Sequence, residues 1–307
     1  MLPLPWIPED LHASLDRLAA QYGLYPRPGK CIAVYGVVDG GGAAHIAANL
    51  AYEIAETWHQ STILAEPASS IGVLAELFDL SPAQTTEDLY HTGIPTRDKV
   101  RQTAARVTDR LLLLAGPRYK FPADPPAPEH VHAAIEALRR SADVVVIALP
   151  SNFDPIIAEI LQQADDSVLV ATQQIPSLHA LREVQEALIN RPHGAAIHLV
   201  VNCYSADREE FTAERLKALL KVEELWTIAE DPNVYQKAVN DGRPFREVDS
   251  DARCVADLVK LGTRILGHPP ESNRRPSGYD WAILAHSWAK KFSRRRKLLV
   301  RNGTRVS

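Results

Sequence analysis

Apolar residues in this chain come in two patterns: short unbroken runs, and longer stretches in which they recur every three or four positions. The runs are Cys31-Ile-Ala-Val-Tyr35, Ser61-Thr-Ile-Leu-Ala-Glu66, Arg110-Leu-Leu-Leu-Leu-Ala-Gly-Pro117, Asp143-Val-Val-Val-Ile-Ala-Leu-Pro150, Asp166-Ser-Val-Leu-Val-Ala-Thr172 and Ile197-His-Leu-Val-Val-Asn202. A segment apolar on both faces is buried on both, as in the interior of a parallel sheet, so each run predicts a strand. Between them the spacing predicts helices over about Ala43–Trp58, His130–Arg140, Ile156–Gln163 and Pro176–Leu188, the last with Leu178, Leu181, Val184 and Leu188 on one stripe. Residues 83–110 read as a helical, polar insertion, and Leu225–Pro244 as a short strand, a turn and a helix. Strand and helix alternating in this way predict an α/β fold, a mostly parallel, doubly wound sheet with helices on both faces and ligands at the C-terminal ends of its strands.

The first strand leads into Val38-Asp-Gly-Gly-Gly-Ala-Ala44 and then an alanine-rich helix. Strand, glycine loop and helix form an anion site, because the first N–H groups of a helix have no partner within it and glycine lets a phosphate come close. A Walker-type loop also needs a lysine for the β- and γ-phosphates and a Ser or Thr hydroxyl for Mg²⁺. Here those places hold Ala43 and Ala44, and Asp39 puts a negative charge at the loop's edge.

The run Ile32–Leu50 resembles the opening of the MinD/ParA family of deviant-Walker ATPases, whose loop reads Lys-Gly-Gly-x-Gly-Lys-Thr ahead of a helix containing Ala-Ala-Asn-Leu. With Ala47-Ala-Asn-Leu50 setting the register, the two family lysines fall on Val38 and Ala43, and the Mg²⁺-binding Thr on Ala44. The family's Asp-x-Asp after the second strand is Glu66-Pro67-Ala68, and its Walker B acid falls on Ala148. Asp143 cannot take that place, being at the other end of the same strand, about 15 Å away at ~3.3 Å per residue. Asn202, Asp231 and Pro232 match positions that flank the adenine in the family. Leu114-Ala-Gly-Pro117 is similar to a Leu-Ala-Ala-Pro step in its pilus-assembly branch, the CpaE/TadZ proteins.

The resemblance spans residues 30–267. It implies a P-loop NTPase-like domain with Gly40, Gly41, Gly42, Ala43 and Ala44 as a degenerate nucleotide loop, Asn202, Asp231 and Pro232 as adenine pocket, and no catalytic or metal-binding side chain. ATP or ADP would then bind weakly, without well-ordered Mg²⁺, or not at all. It also implies a homodimer formed through the loop face and protein partners in an assembly or polar-localisation system. One alternative is an ATPase completed by a partner's lysine or arginine, with Arg118, Lys120 and Arg243 as candidate bases within the chain. Another is a dinucleotide-binding protein, because Gly40-x-Gly42 and Glu66 imitate that fingerprint, although His45 stands where its third glycine should be.

Composition adds an asymmetry. Residues 272–307 carry ten Lys/Arg and one acid, whereas residues 1–271 carry 24 bases and 37 acids. Within the basic tail, Trp281, Leu284, Trp288 and Phe292 fall at helical spacing beside Arg294, Arg295 and Arg296. That pattern over 279–297 suits a helix packed on its own domain with its charges in solvent, a helix lying on an anionic membrane surface, or, more weakly, one that binds nucleic acid or an acidic partner, and Trp281 and Trp288 favour the membrane over the last. Residues 1–29 read as a short helix and linker, and 268–307 as a basic linker and amphipathic helix. Three scattered cysteines and the lack of a signal-peptide pattern predict a cytoplasmic protein, peripheral to the membrane's inner face if the tail binds there.

Overall fold

The computed structural model describes residues 28–68, 71–90, 95–118, 126, 128–189 and 195–270. The expected N-terminal helix and the whole aromatic and basic tail, Trp281 to Arg296 included, lie outside the described residues.

Strands β1 (Lys30–Gly36), β2 (Thr62–Ala65), β3 (Ala105–Arg106), β4 (Leu111–Leu114), β5 (Val144–Leu149), β6 (Asp166–Thr172), β7 (Ala196–Tyr204) and β8 (Trp226–Ala229) form one sheet in the order β3-β4-β2-β5-β1-β6-β7-β8. Every neighbouring pair is parallel except β3 with β4. The helices are α1 (Ala43–Thr57), α2 (Thr86–Tyr90), α3 (Arg97–Thr103), α4 (Pro128–Arg139), α5 (Pro155–Gln163), α6 (Ile175–Ile189), α7 (Ala213–Leu220), α8 (Pro232–Asp241), α9 (Phe245–Val248) and α10 (Arg253–Leu266). The doubly wound, mostly parallel sheet is therefore as the apolar runs predict. The segment 83–110 departs from expectation: it holds α2 and α3, but ends in β3, whose Ala105 and Arg106 pair antiparallel with Leu113 and Leu112. Two residues at a sheet margin need only backbone pairing and carry no apolar signal.

Side chains alternate across a strand, so β1 feeds two cores. Ile32 and Val34 join a cluster with α1, α8 and α10, while Cys31, Ala33 and Tyr35 join one with α4, α5, α6 and α7. Complete burial of one Leu or Ile side chain contributes about 1.5–3 kcal/mol, and β1 and β5 are shielded along nearly their whole length.

Charges gather at the N-terminal edge of the sheet. Asp166 accepts from Lys30 Nζ at 2.8 Å and from His198 Nε2 at 2.7 Å, and Lys30 also donates to the Ile265 carbonyl at 2.5 Å. Burial pushes the Asp166 carboxyl up, but the hydrogen bonds from His198 and Lys30 outweigh it and hold the group below its ordinary value. Beside them Asp165 accepts from Cys31 N at 2.7 Å and pairs with Arg139, and Asp143 accepts from Ser61 Oγ at 2.6 Å. Asp143 is thus a tie between β2 and β5 at the edge opposite the glycine loop.

Candidate functional site

Four helices begin on a side-chain cap. Thr96, Asp154, Thr212 and Asp231 accept from the N–H groups of Lys99, Ile157, Arg215 and Val234, and Pro155 and Pro232 stand in the first turns of α5 and α8. Such caps satisfy donors that a helix start would otherwise expose. Helix α1, like α9 and α10, has no side-chain cap: it starts on Gly42 in the left-handed conformation (φ 84°), with no acid in its first turn. Gly40 is also left-handed at φ 72°. The loop thus leaves backbone donors uncapped at the C-terminal end of β1, where the sequence places an anion site.

Side chains from two other strands close on this loop. Asn202, in β7, donates from Nδ2 to the Gly41 carbonyl at 3.0 Å, and a Cβ on Gly42 would meet that nitrogen at 2.3 Å. Only glycine fits there. On the other side, the Ser151 hydroxyl, just past β5, bonds the Asp39 carboxylate. Tyr35 OH donates to the Ser151 carbonyl at 2.9 Å, and its ring meets Phe153 edge-on at 6.3 Å. Burial, followed by the nearby Asp39 charge, pushes the Tyr35 phenol above its ordinary range. Neither Ser151 nor Asn202's bond to the loop is visible in a linear motif, since each needs strands distant in sequence to be adjacent.

The three positions matched to metal ligands lie at the same end of the sheet. Ala148 is in β5 opposite Val34, Ala44 is in the first turn of α1, and Ala68 follows β2; β5 lies between β2 and β1. Ala43 and Ala148 belong to one apolar cluster and Ala44 packs against it. Methyl groups cannot coordinate Mg²⁺, which takes oxygen ligands. The residues present do not fit an ordinary Mg²⁺–ATP centre, and among the described residues no group of three or more His, Cys, Asp or Glu could hold a metal ion.

The remaining acid, Glu66, is only 5% exposed and is fully engaged. It accepts from Val73 N at 2.7 Å, Leu74 N at 3.2 Å and Gly116 N at 2.9 Å, tying the loop after β2 to the loop after β4. Burial raises its carboxyl above the ordinary value, and the three amides only partly oppose this. A carboxylate so enclosed cannot reach a ribose, which removes the acid on which the dinucleotide reading depends. Asp231 is occupied as the cap of α8, with Pro232 in the first turn behind it. Arg118 donates to the Pro82 carbonyl at 3.0 Å and Arg243 to the Glu247 carbonyl at 2.7 Å, while Lys120 is outside the described residues.

Polar residues of α1 hold the neighbouring helices. Asn49 accepts from Phe245 N at 2.6 Å, and Glu53 pairs with Arg246 at 2.6 Å. Asn49 therefore fixes the start of α9, a role hidden within the Ala-Ala-Asn-Leu motif. His45 packs on Tyr235 with ring centroids 4.9 Å apart, its Nε2 buried without a partner, and burial lowers its pKa.

No family model matches the sequence, and no curated protein matches it. Solved structures do. A ParA family ATPase from Chlorobium tepidum TLS superposes with a TM-score of 0.68 at 15% identity, covering 76% of this chain and 98% of that one. The chain has the MinD/ParA fold. The cell division ATPase MinD of Pyrococcus furiosus matches at 19% identity with a TM-score of 0.65, covering 78% and 99% of the two chains. A chain of the Aquifex aeolicus MinC:MinD cell division protein complex matches at 16% identity with a TM-score of 0.66, covering 80% and 99% of the two chains. No helix among the described residues is long and apolar enough to cross a membrane.

Proposed function

We propose that this protein is a positioning or assembly scaffold built on a MinD/ParA domain, one that binds nucleotide weakly or not at all and lacks ordinary Mg²⁺-dependent ATP hydrolysis. The carrying observation is the alanine at each of the three metal positions, Ala44, Ala68 and Ala148, together with Ala43 in place of the loop lysine. Hydrolysis of ATP at such a loop depends on a cation and a metal shell to neutralise charge developing on the phosphates. Neither can be assembled from these side chains.

The scaffold acts through contacts. Ile71, Val73, Phe153 and Ile175 are large apolar side chains, each about half exposed, in the segments that follow β2, β5 and β6. They lie at the same end of the sheet as the glycine loop, which supports a homodimer or protein partner on that face. The Leu114-Ala-Gly-Pro117 step favours the pilus-assembly branch, CpaE/TadZ, as the system served. The test is phosphate release from ATP with Mg²⁺ by the full chain. Release at background level is expected, and turnover like that of a relative with intact motifs would reject the scaffold.

A further inference from the structure

Asp39 is the loop residue that a disarmed nucleotide site does not explain. Loss of a lysine and three metal ligands requires only neutral replacements, yet the loop also carries a carboxylate immediately before Gly40, Gly41 and Gly42. Among the described residues no Lys or Arg pairs with it; its partner is the neutral hydroxyl of Ser151. The backbone that carries this hydroxyl is itself held, because Tyr35 OH donates to the Ser151 carbonyl at 2.9 Å. The carboxylate is thus tied to the segment after β5, within the loop whose Gly41 N–H bonds the Val38 carbonyl at 3.3 Å and which leads into the uncapped start of α1. On the opposite side Asn202 secures the Gly41 carbonyl. The loop therefore keeps its cradle conformation, with Gly40 and Gly42 left-handed, through two side-chain straps that belong to the protein.

We propose that Asp39 is a built-in barrier that keeps polyphosphates off the glycine loop by fixed negative charge. This rests on the scaffold reading and names what enforces it at that loop. Like charges a few ångströms apart at a protein surface repel by an amount worth ~10-fold or more in affinity. A pyrophosphate or triphosphate approaching the uncapped start of α1 meets that repulsion with no lysine to offset it.

The test is calorimetric titration of pyrophosphate, and of ATP without Mg²⁺, into the full chain and its variants. Asp39→Asn removes the charge and keeps a group able to bond Ser151; Ser151→Ala removes the strap and keeps the charge; Asp39→Gly removes the side chain altogether. The expected result is binding about tenfold tighter or more in Asp39→Asn and Asp39→Gly, with Ser151→Ala as weak as the unaltered chain. A second pair reads the same effect over a restored lysine: Ala43→Lys should bind ATP at least about tenfold more weakly than Ala43→Lys with Asp39→Asn. The barrier is overturned if neither Asp39 variant gains affinity, if Ser151→Ala gains as much as they do, or if the two lysine variants bind alike. Hydrolysis by the unaltered chain would sink the scaffold reading, while the Asp39 comparison would still report on the barrier.

Discussion

The two edges of the sheet treat charge in opposite ways. At the N-terminal edge Lys30, Asp166, His198, Asp165, Arg139 and Asp143 are bound to one another or to backbone, and the enclosed Asp166 has two cationic or donor partners. At the C-terminal edge, where MinD/ParA chemistry would lie, the matched positions are alanine, and the carboxylates there are engaged singly: Glu66 by three amides, Asp39 by a hydroxyl, and Asp154 and Asp231 as helix caps. Ionic groups thus join strands at the lower edge, while alanines stand at the matched positions of the upper one. The stability of the fold comes from the two apolar faces and from that lower network.

The largest expected effect breaks the lower edge. Asp166→Ala would leave Lys30 and His198 facing each other around an emptied position, and removing one member of a buried pair costs about 3–5 kcal/mol. Chemical denaturation should show this as a lowered midpoint. A loss below about 1 kcal/mol would mean that the network is solvated and the contrast between edges is empty. Because the folded carboxyl is held below its ordinary 3.8, its contribution is complete above that value and drains away as pH falls through the lower, folded one.

Next comes the exception at the upper edge. Glu66→Gln removes a charge but also turns an acceptor toward Gly116 N into a donor, an expected loss of about 1–3 kcal/mol at neutral pH. The folded Glu66 carboxyl is raised above its ordinary 4.5, so folding favours its protonated form. Its contribution is then fullest below 4.5 and declines as pH rises through the raised value, the reverse of Asp166. Thermal melts of wild type and Glu66→Gln across that window should diverge as pH falls, and parallel curves would refute the assignment.

Smallest is Asn202→Ala, which deletes one bond to the Gly41 carbonyl and should cost about 1 kcal/mol. Faster amide exchange confined to residues 38–44 is the expected signature; unchanged exchange there would show that the strap does not hold the loop.

Most of the fold is legible in the chain because β1, β5 and β6 are continuous apolar runs, a pattern that only a sheet covered on both sides accommodates. Helix α1 is legible as well, as the alanine-rich stretch that follows the glycine loop. What cannot be read is β3, whose two residues pair by backbone alone, and α7, whose stripe has only Leu216 and Leu220 buried. The candidate site divides in the same way. Its glycines and missing ligands stand in one stretch of sequence or at strand ends, whereas Ser151 on Asp39, Asn202 on Gly41 and the three amides on Glu66 exist only after distant segments are brought together.

The outer strands set a limit on how copies of this protein can join. On one flank the sheet ends in the two-residue β3, run against its neighbour and bearing the charged Arg106; on the other, the Ala229 N–H of β8 is taken by Asp257 of α10 at 3.2 Å. Little ladder is left on either flank for a foreign strand to extend. Polymerisation by edge-to-edge zippering is thereby discouraged, and any assembly this chain enters is steered toward docking of loops and helices, which can be undone.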